Sequence, residues 1–257
     1  MTTLRRLRPL TGSVLLATSR RWRTTTTVVL GPDRTALLVD PAWTEDELQG
    51  VAADLRALRL TLEGGLSTHG HYDHVLWHRD LPAVPRWGSA ATAALARTGW
   101  PAMLAALGPG YPLALYAERP PVLALPGDRV PWRGPEVRPV VTDAHERGHT
   151  AFWLPRERVL LAGDLLSDDE VPLIASGDVD GSRYRAGLAA LEPYVRAARF
   201  VVPGHGTPTA DGAARLAADL RWLDALDAGR TPQDDPRTGV PDTAAEWAKP
   251  RALRLGS

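Results

Sequence analysis

The chain of 257 residues contains no cysteine. Disulfide bonds and thiolate ligands are therefore excluded, and any metal site must be built from histidine, aspartate or glutamate. Net charge is missing too, because 30 basic residues balance 30 acidic ones. Without a global electrostatic field, nothing in the composition points to a nucleic-acid partner.

Long hydrophobic runs are also absent. No stretch reaches the roughly 18 apolar residues that a transmembrane helix requires, so we expect no membrane partner. Arginines near the N-terminus precede a short apolar run at residues 14–17, an order that faintly resembles a signal peptide. Three further arginines follow at once, which argues against that interpretation. We therefore expect a cytoplasmic protein.

Strand and helix signals alternate along the chain. Short β-prone segments at 12–19, 24–30 and 35–39 predict an antiparallel meander. A helix then begins with Thr44 as N-cap, with Glu47 three residues later and Trp43 placed to pack onto Leu48. Further strands are expected at 60–67, 137–142, 151–154, 159–162 and 200–202, further helices at 89–97, 101–107, 183–198 with a break near Pro193, and about 216–229, and a long loop at 108–126.

This order of elements predicts an α/β fold with two sheets flanked by helices. A single domain at 1–230 accommodates all of these segments. Residues 231–257 turn polar and rich in proline, and we expect this tail to be docked, for instance through Trp247, or partly disordered.

The strongest chemical signal is the string Thr68-His69-Gly70-His71-Tyr72-Asp73-His74. In an extended segment His69 and His71 point to the same side, while Asp73 and His74 enter the next turn. Neutral imidazole suits zinc, iron and manganese, and a carboxylate offsets the charge of a dication. A chance cluster of histidines in a surface loop is the alternative interpretation.

Three more residues follow predicted strands, where loops present functional groups. His145 follows 137–142, Asp164 follows 159–162, and His205 lies in Pro203-Gly204-His205-Gly206 after 200–202. Taken singly, an aspartate there is usually a helix cap and a Pro-Gly-His-Gly segment a turn. Together with the first string, they favour one shared metal site.

These four motifs, in this order, resemble the metallo-β-lactamase fold superfamily of hydrolases over about residues 12–226. The resemblance implies an αββα sandwich of two mixed β-sheets. It also implies a dinuclear centre, with His69, His71 and His145 holding the first metal, Asp73, His74 and His205 the second, and Asp164 bridging them. The cofactors would be two divalent ions, zinc above all, with iron or manganese as alternatives.

The second motif offers two histidines, His145 and His149. Family members usually carry a Pro-Gly-His-Thr-Pro-Gly-His type of segment here, in which the first histidine is the ligand. By that resemblance His145 is the ligand and His149 a neighbour behind it. Asp143-Ala144 in place of Pro-Gly is a departure from the pattern. His78 is left over, and we expect it to face solvent on a helix after the first motif.

The implied chemistry is hydrolysis of a small ester, lactone, thioester or similar bond by a metal-bridging hydroxide. Asp73 would orient the nucleophile and pass its proton to the leaving group. Asp40 is a candidate partner that fixes an imidazole tautomer, or else only a turn former before Pro41.

The substrate, a small molecule, is poorly specified. Val75-Leu76-Trp77 follows His74 where glyoxalase II-like and lactonase-like relatives often have Gly-Gly, and no basic cluster typical of glutathione binding is evident. Trp77, Trp87 and Trp100 either overhang the site and contact an apolar substrate or simply pack the core. Two other functions stay open: a mononuclear iron oxidoreductase resembling persulfide dioxygenases, and a metal-binding module without activity.

Overall fold

Two mixed β-sheets form the centre of the computed structural model, which describes residues 5–41, 44–107, 121–174, 177–178, 180–230, 232 and 234–239. Seven strands form the larger sheet in sequence order: β1 (Arg8–Pro9), β2 (Val14–Thr18), β3 (Thr25–Leu30), β4 (Thr35–Val39), β5 (Thr61–Leu66), β6 (Arg86–Gly88) and β7 (Val122–Ala124). Strands β8 (Arg138–Val141), β9 (Thr150–Leu154), β10 (Val159–Gly163) and β11 (Phe200–Pro203) form the smaller sheet, in the order β11-β10-β9-β8.

The direction of pairing changes within each sheet. Strands β1 to β4 are antiparallel, as the predicted meander requires, whereas β4 to β7 run parallel. In the smaller sheet only β10 and β11 are parallel. Parallel neighbours end at the same edge of a sheet, so the loops after β10 and β11 can meet. The segment after β5 in the larger sheet reaches the smaller sheet, because the Thr68 carbonyl accepts from the Thr150 N–H at the start of β9 at 2.7 Å.

The helices are α1 (Glu45–Ala57), α2 (Tyr72–Val75), α3 (Ala90–Thr98), α4 (Trp100–Leu107), α5 (Ser182–Ala197) and α6 (Gly212–Asp227). Single 3₁₀ turns occur at Pro32–Arg34 and Pro236–Gly239. Among the described residues, no helix combines the length and the hydropathy needed to cross a bilayer.

Three hydrophobic clusters show the layer order. Inner faces of the two sheets meet in a cluster that includes Leu37, Leu66, Phe152 and Leu161. On the outside of the larger sheet, Val51 and Leu55 of α1 pack against a second cluster. Helices α5 and α6 cover the smaller sheet with side chains such as Leu188, Leu191 and Leu223. The predicted αββα sandwich of two mixed sheets is therefore confirmed.

Several local predictions need correction. Part of the expected loop at 108–126 forms strand β7, because Val122 pairs with Arg86 of β6 and buries its side chain; residues 108–120 lie outside the described residues. Helix α5 runs through Pro193 without a break. Its apolar face packs on the smaller sheet, and this tertiary contact outweighs the local preference of proline.

Helix α1 starts as expected, but with different hydrogen bonds. Thr44 is the N-cap, yet its hydroxyl bonds the carboxylates of Asp46 and Glu47 rather than capping a backbone N–H. Glu47 accepts from Ser19 Oγ and from the Arg20 backbone, which ties the helix to the β2–β3 turn. The expected staple by Trp43 lies outside the described residues, as does Trp247 of the tail.

Candidate metal centre

One edge of the sandwich gathers all seven residues that the sequence singled out. His69 and His71 follow β5, and Asp73 and His74 lie in the short helix α2. The other three follow strands β8, β10 and β11 respectively: His145, Asp164 and His205. They form two groups of donor atoms with mutual distances compatible with metal binding. That they bind metal stays a prediction.

The first group consists of three imidazoles and one carboxylate. His71 Nδ1 lies 3.0 Å from His69 Nε2 and 3.2 Å from His145 Nε2. Asp164 Oδ2 lies 3.4 Å from the Nε2 atoms of both His69 and His145. Three ring nitrogens and an oxygen thus lie within 4.8 Å of one another, and both are donor types that zinc accepts.

The second group consists of Asp73, His74 and His205, and Asp164 of the first group lies beside it. Asp73 Oδ2 lies 3.2 Å from His74 Nε2 and 3.2 Å from His205 Nε2. Asp164 Oδ1 lies 3.3 Å from His74 Nε2, and its Oδ2 lies 3.4 Å from His205 Nε2. The Asp164 carboxylate therefore stands between the two groups, with contacts to both.

Burial and mutual charge shift the titration of the cluster. Burial lowers the pKa of His145 to about 4, and it holds the pKa of His69 well below the ordinary value. Burial acts in the same direction on His74, but the carboxylates of Asp164 and Asp73 outweigh it and raise the pKa of His74 well above its usual range. In the second group, the carboxylates thus attract positive charge.

Asp40 holds the first motif from behind. Its Oδ1 accepts a hydrogen bond from the Thr68 backbone N–H at 2.9 Å, and its Oδ2 accepts from Thr68 Oγ1 at 2.7 Å. Oδ2 also lies 3.0 Å from His74 Nδ1. Of the two roles considered for Asp40, the structure places it as the partner of an imidazole, with its side chain almost fully buried.

Glycines let the backbone approach the cluster. A Cβ on Gly204 would lie 2.1 Å from Asp164 Oδ1, so no side chain fits beside the shared carboxylate. Gly163 has a φ of +57° and a Cβ there would lie 2.3 Å from His149 Nε2. These two glycines explain how loops after β10 and β11 come close enough to share one centre.

His149 and His78 lie outside the groups of donor atoms. His149 is buried behind His69, with a ring-centroid distance of 5.6 Å, and its Nδ1 lies 3.3 Å from Thr142 Oγ1. It belongs to neither group of donor atoms, whereas His145 does. The expectation that His78 faces solvent is wrong: it is fully buried after the end of α2, and its Nδ1 accepts from the Asp80 backbone N–H.

The tryptophans singled out from the sequence mainly pack the interior. Trp77 lies in the cluster beneath α1, and Trp87 lies between the sheets. Trp100 packs against the small cluster around α3 and α4. Trp22, 42% exposed in the β2–β3 turn, contacts the centre through its backbone carbonyl, which lies 2.8 Å from His205 Nδ1. Its ring centroid lies 6.3 Å from that of Tyr72.

Two carboxylates near the centre were missed by sequence reasoning. Glu170 offers an oxygen close to donor atoms of Asp164 and His205, and burial raises its pKa to about 7. Glu146 Oε2 lies 3.4 Å from His71 Nε2, and this contact lowers the pKa of Glu146 to about 2. Glu146 directly follows a singled-out histidine, which was the available signal; Glu170 belongs to no motif.

Comparison with known proteins agrees with this geometry. A family model described as the metallo-beta-lactamase superfamily matches residues 20–221, most of the chain. The chain belongs to the metallo-beta-lactamase superfamily. The matched range contains all seven residues of the centre.

A curated relative resembles about half of the chain. A hydroxyacylglutathione hydrolase from Synechococcus sp. is 32% identical over 122 residues, which is 48% of this chain. The chain matches only 39% of that relative's length.

Solved structures support the fold over a longer range. A metallo-beta-lactamase family protein from Thermus thermophilus has a TM-score of 0.64 at 20% identity, and the match covers 96% of this chain and 95% of that protein. The DIM-1 metallo-beta-lactamase also has a TM-score of 0.64 at 20% identity, covering 86% and 97%. At this level of identity the likeness concerns the fold alone.

Proposed function

We propose that the protein is a metal-dependent hydrolase with a dinuclear centre, acting on a small ester, lactone, thioester or similar bond. The observation that carries the proposal is the position of Asp164, whose two oxygens lie 3.3–3.4 Å from imidazole nitrogens of both groups. A single buried carboxylate between two histidine clusters is an arrangement suited to two cations rather than one.

The protonation pattern of the residues fits bound cations. Thr68 Oγ1 donates to Asp40 and therefore accepts from His69 Nδ1, which leaves a lone pair on His69 Nε2. His145 Nδ1 donates to the Leu173 carbonyl, which likewise leaves a lone pair on its Nε2. Both lone pairs lie within 3.0–3.2 Å of His71 Nδ1. A cation bound between these nitrogens would offset the repulsion among their lone pairs.

The proposed ligand roles follow from the two groups. His69, His71 and His145 would hold one ion, Asp73, His74 and His205 the other, with Asp164 shared. Two divalent ions held there, zinc being our proposal, would lower the pKa of a water towards neutrality and polarise the oxygen of the bond to be broken.

Asp73 is the proposed catalytic residue. Its carboxylate is buried within the second group, where burial raises its pKa but the neighbouring imidazoles of His74 and His205 outweigh burial and lower it. A cation held by these imidazoles would likewise favour the ionised carboxylate. An ionised carboxylate can orient the attacking water, accept its proton and deliver that proton to the leaving atom.

The class of bond is proposed from relatives and from the surface beside the centre. A relative named as a hydroxyacylglutathione hydrolase supports a thioester within the substrate range. Val75, Leu76 and Trp77 after the first motif are fully buried. That segment therefore has no exposed backbone that could contact the peptide part of a glutathione conjugate. We therefore favour compact acyl substrates over glutathione conjugates.

A direct test combines zinc loading with a panel of lactone, thioester, β-lactam and phosphodiester substrates. We expect hydrolysis of at least one carbonyl substrate, lost on chelation and restored by Zn²⁺. Asp73→Asn should lower kcat by about 100-fold or more, the range typical of a lost proton-transfer group. Asp128→Asn, at an exposed carboxylate that belongs to no group of donor atoms, serves as the control. One iron per chain with oxygen uptake would instead indicate an oxidative enzyme.

A further inference from the structure

Each histidine of the centre has an inner ring nitrogen, which faces the other donor atoms, and an outer ring nitrogen, which faces away. In four of the five, Nε2 is the inner nitrogen and Nδ1 the outer one. Each outer Nδ1 lies within hydrogen-bond distance of an oxygen from a buried or backbone group. The pairs are His69 with Thr68 Oγ1 at 3.1 Å, His74 with Asp40 Oδ2 at 3.0 Å, His145 with Leu173 O at 3.1 Å and His205 with Trp22 O at 2.8 Å.

His71 is the exception in both orientation and exposure. Its inner nitrogen is Nδ1, which faces His69 and His145, and its outer nitrogen is Nε2. The His71 side chain is 40% exposed, whereas the other four are at most 4% exposed. Packing alone therefore restrains this ring far less than it restrains the others.

Within the described part of the chain, the outer nitrogen of His71 faces the Glu146 carboxylate, with Oε2 3.4 Å from Nε2. Glu146 is itself held in place. Its Oε1 accepts from the Arg147 backbone N–H at 2.7 Å, and its carbonyl accepts from the His149 backbone N–H at 3.0 Å. The same loop is closed by Asp143, whose Oδ1 accepts from the Gly148 N–H at 2.8 Å.

We propose that Glu146 is a positioning residue that orients the His71 imidazole through Nε2–H and so strengthens metal binding at the group formed by His69, His71 and His145. This inference rests on the proposed function. A carboxylate acceptor on the outer nitrogen fixes ring orientation and raises the basicity of the inner nitrogen. In His71 this contact replaces the burial that restrains the other four rings.

The experiment compares Zn²⁺ binding by the full chain and three variants. Glu146→Ala removes the acceptor, and Glu146→Gln keeps an acceptor oxygen but removes the charge. Glu192→Ala is the matched control, because Glu192 is a half-exposed surface carboxylate that pairs with Arg196 one turn along α5, away from the centre. Competition with a chromophoric chelator gives the dissociation constant of each ion, and ¹H–¹⁵N spectra of the histidine side chains report the Nε2–H proton of His71.

We expect Glu146→Ala to raise the dissociation constant of one of two zinc ions by about 10- to 100-fold. Glu146→Gln should retain most of the affinity, and Glu192→Ala all of it. The His71 Nε2–H signal should be visible in the zinc-loaded protein and in Glu146→Gln, but lost to solvent exchange in Glu146→Ala. A role confined to folding would leave this signal unchanged.

Two results would overturn the inference: wild-type affinity for both ions in Glu146→Ala, or an equal loss in Glu146→Gln and Glu146→Ala. Either result leaves the proposed function standing, because the wild-type protein would still bind two ions. A wild-type protein that binds no zinc would instead refute the proposed function itself.

Discussion

Replacing Asp40 with alanine tests whether this residue fixes the first motif. Its buried carboxylate accepts from the Thr68 N–H, the Thr68 hydroxyl and His74 Nδ1. After the substitution, the hydroxyl can turn to another acceptor and His74 Nδ1 keeps Thr68 Oγ1 at 3.3 Å, but the Thr68 N–H loses its partner and His74 loses its bond to a charged acceptor. An unsatisfied buried donor costs about 1–3 kcal/mol and a hydrogen bond to a charged group contributes about 1.5–3 kcal/mol, so we expect a loss of about 2–5 kcal/mol in the free energy of unfolding.

Thermal unfolding in the presence of a chelator measures this loss without a contribution from bound metal. For a chain of this size, 1 kcal/mol corresponds to about 2–4 °C, so the Tm of Asp40→Ala should fall by roughly 5–15 °C. Asp128→Ala, at an exposed carboxylate, should leave the Tm within about 1 °C, as surface changes do. A Tm for Asp40→Ala within about 2 °C of the wild type would refute the reasoning, because the motif would then be held by other contacts.

Three further predictions concern metal content and acid stability. His145→Ala should lower zinc content measured by mass spectrometry, whereas His149→Ala should keep two ions; the reverse order would contradict the ligand assignment. Gly204→Ala should displace the shared carboxylate and weaken zinc binding at least tenfold in a chelator competition, while Gly127→Ala, with open space around its Cβ, should not. Burial raises the pKa of Asp168, but hydrogen bonds from Arg215 and Thr207 outweigh burial and lower this pKa to about 2. The ionised Asp168 therefore stabilises the fold at pH values above the unfolded pKa near 4, and this stabilisation is lost as pH falls towards 2. Urea unfolding at pH 7 and pH 3 should therefore show a smaller decrease for Asp168→Asn, and an equal decrease would refute this role.

The sequence predicted the parts of the fold that have strong local signals. Strands with continuous apolar runs, such as β4 and β10, and helix α1, for which the sequence offered an N-cap, form close to their expected positions. Helix α3 was predicted from residue 89, whereas Ser89 is its N-cap and accepts from the Thr92 N–H.

Elements defined by tertiary contacts were not predictable in the same way. Strands β6 and β7 are three residues long each, and they form only because parallel neighbours supply their hydrogen bonds. Burial of His78 after α2 depends on how the chain folds back beneath α1. Local periodicity carries no information on either point.

The centre shows the same division. Its seven residues were identified from motif spacing and resemblance, and the structure brings them together. Trp22, Glu146 and Glu170 approach the centre from three separate loops. These loops are the β2–β3 turn, the β8–β9 loop and the loop after β10, and only the tertiary fold brings them to one edge of the sandwich. The division of the chain into a domain at 1–230 and a tail at 231–257 stays a prediction.

The central claim is a dinuclear hydrolytic centre with Asp164 shared between two ions. Metal analysis of the zinc-reconstituted protein beside Asp164→Asn, with activity measured on the same samples, tests it most directly. We predict two ions per wild-type chain, one or fewer in Asp164→Asn, and hydrolysis only in the wild type. Two ions in both proteins with equal activity, or a single iron with oxygen consumption, would contradict the account.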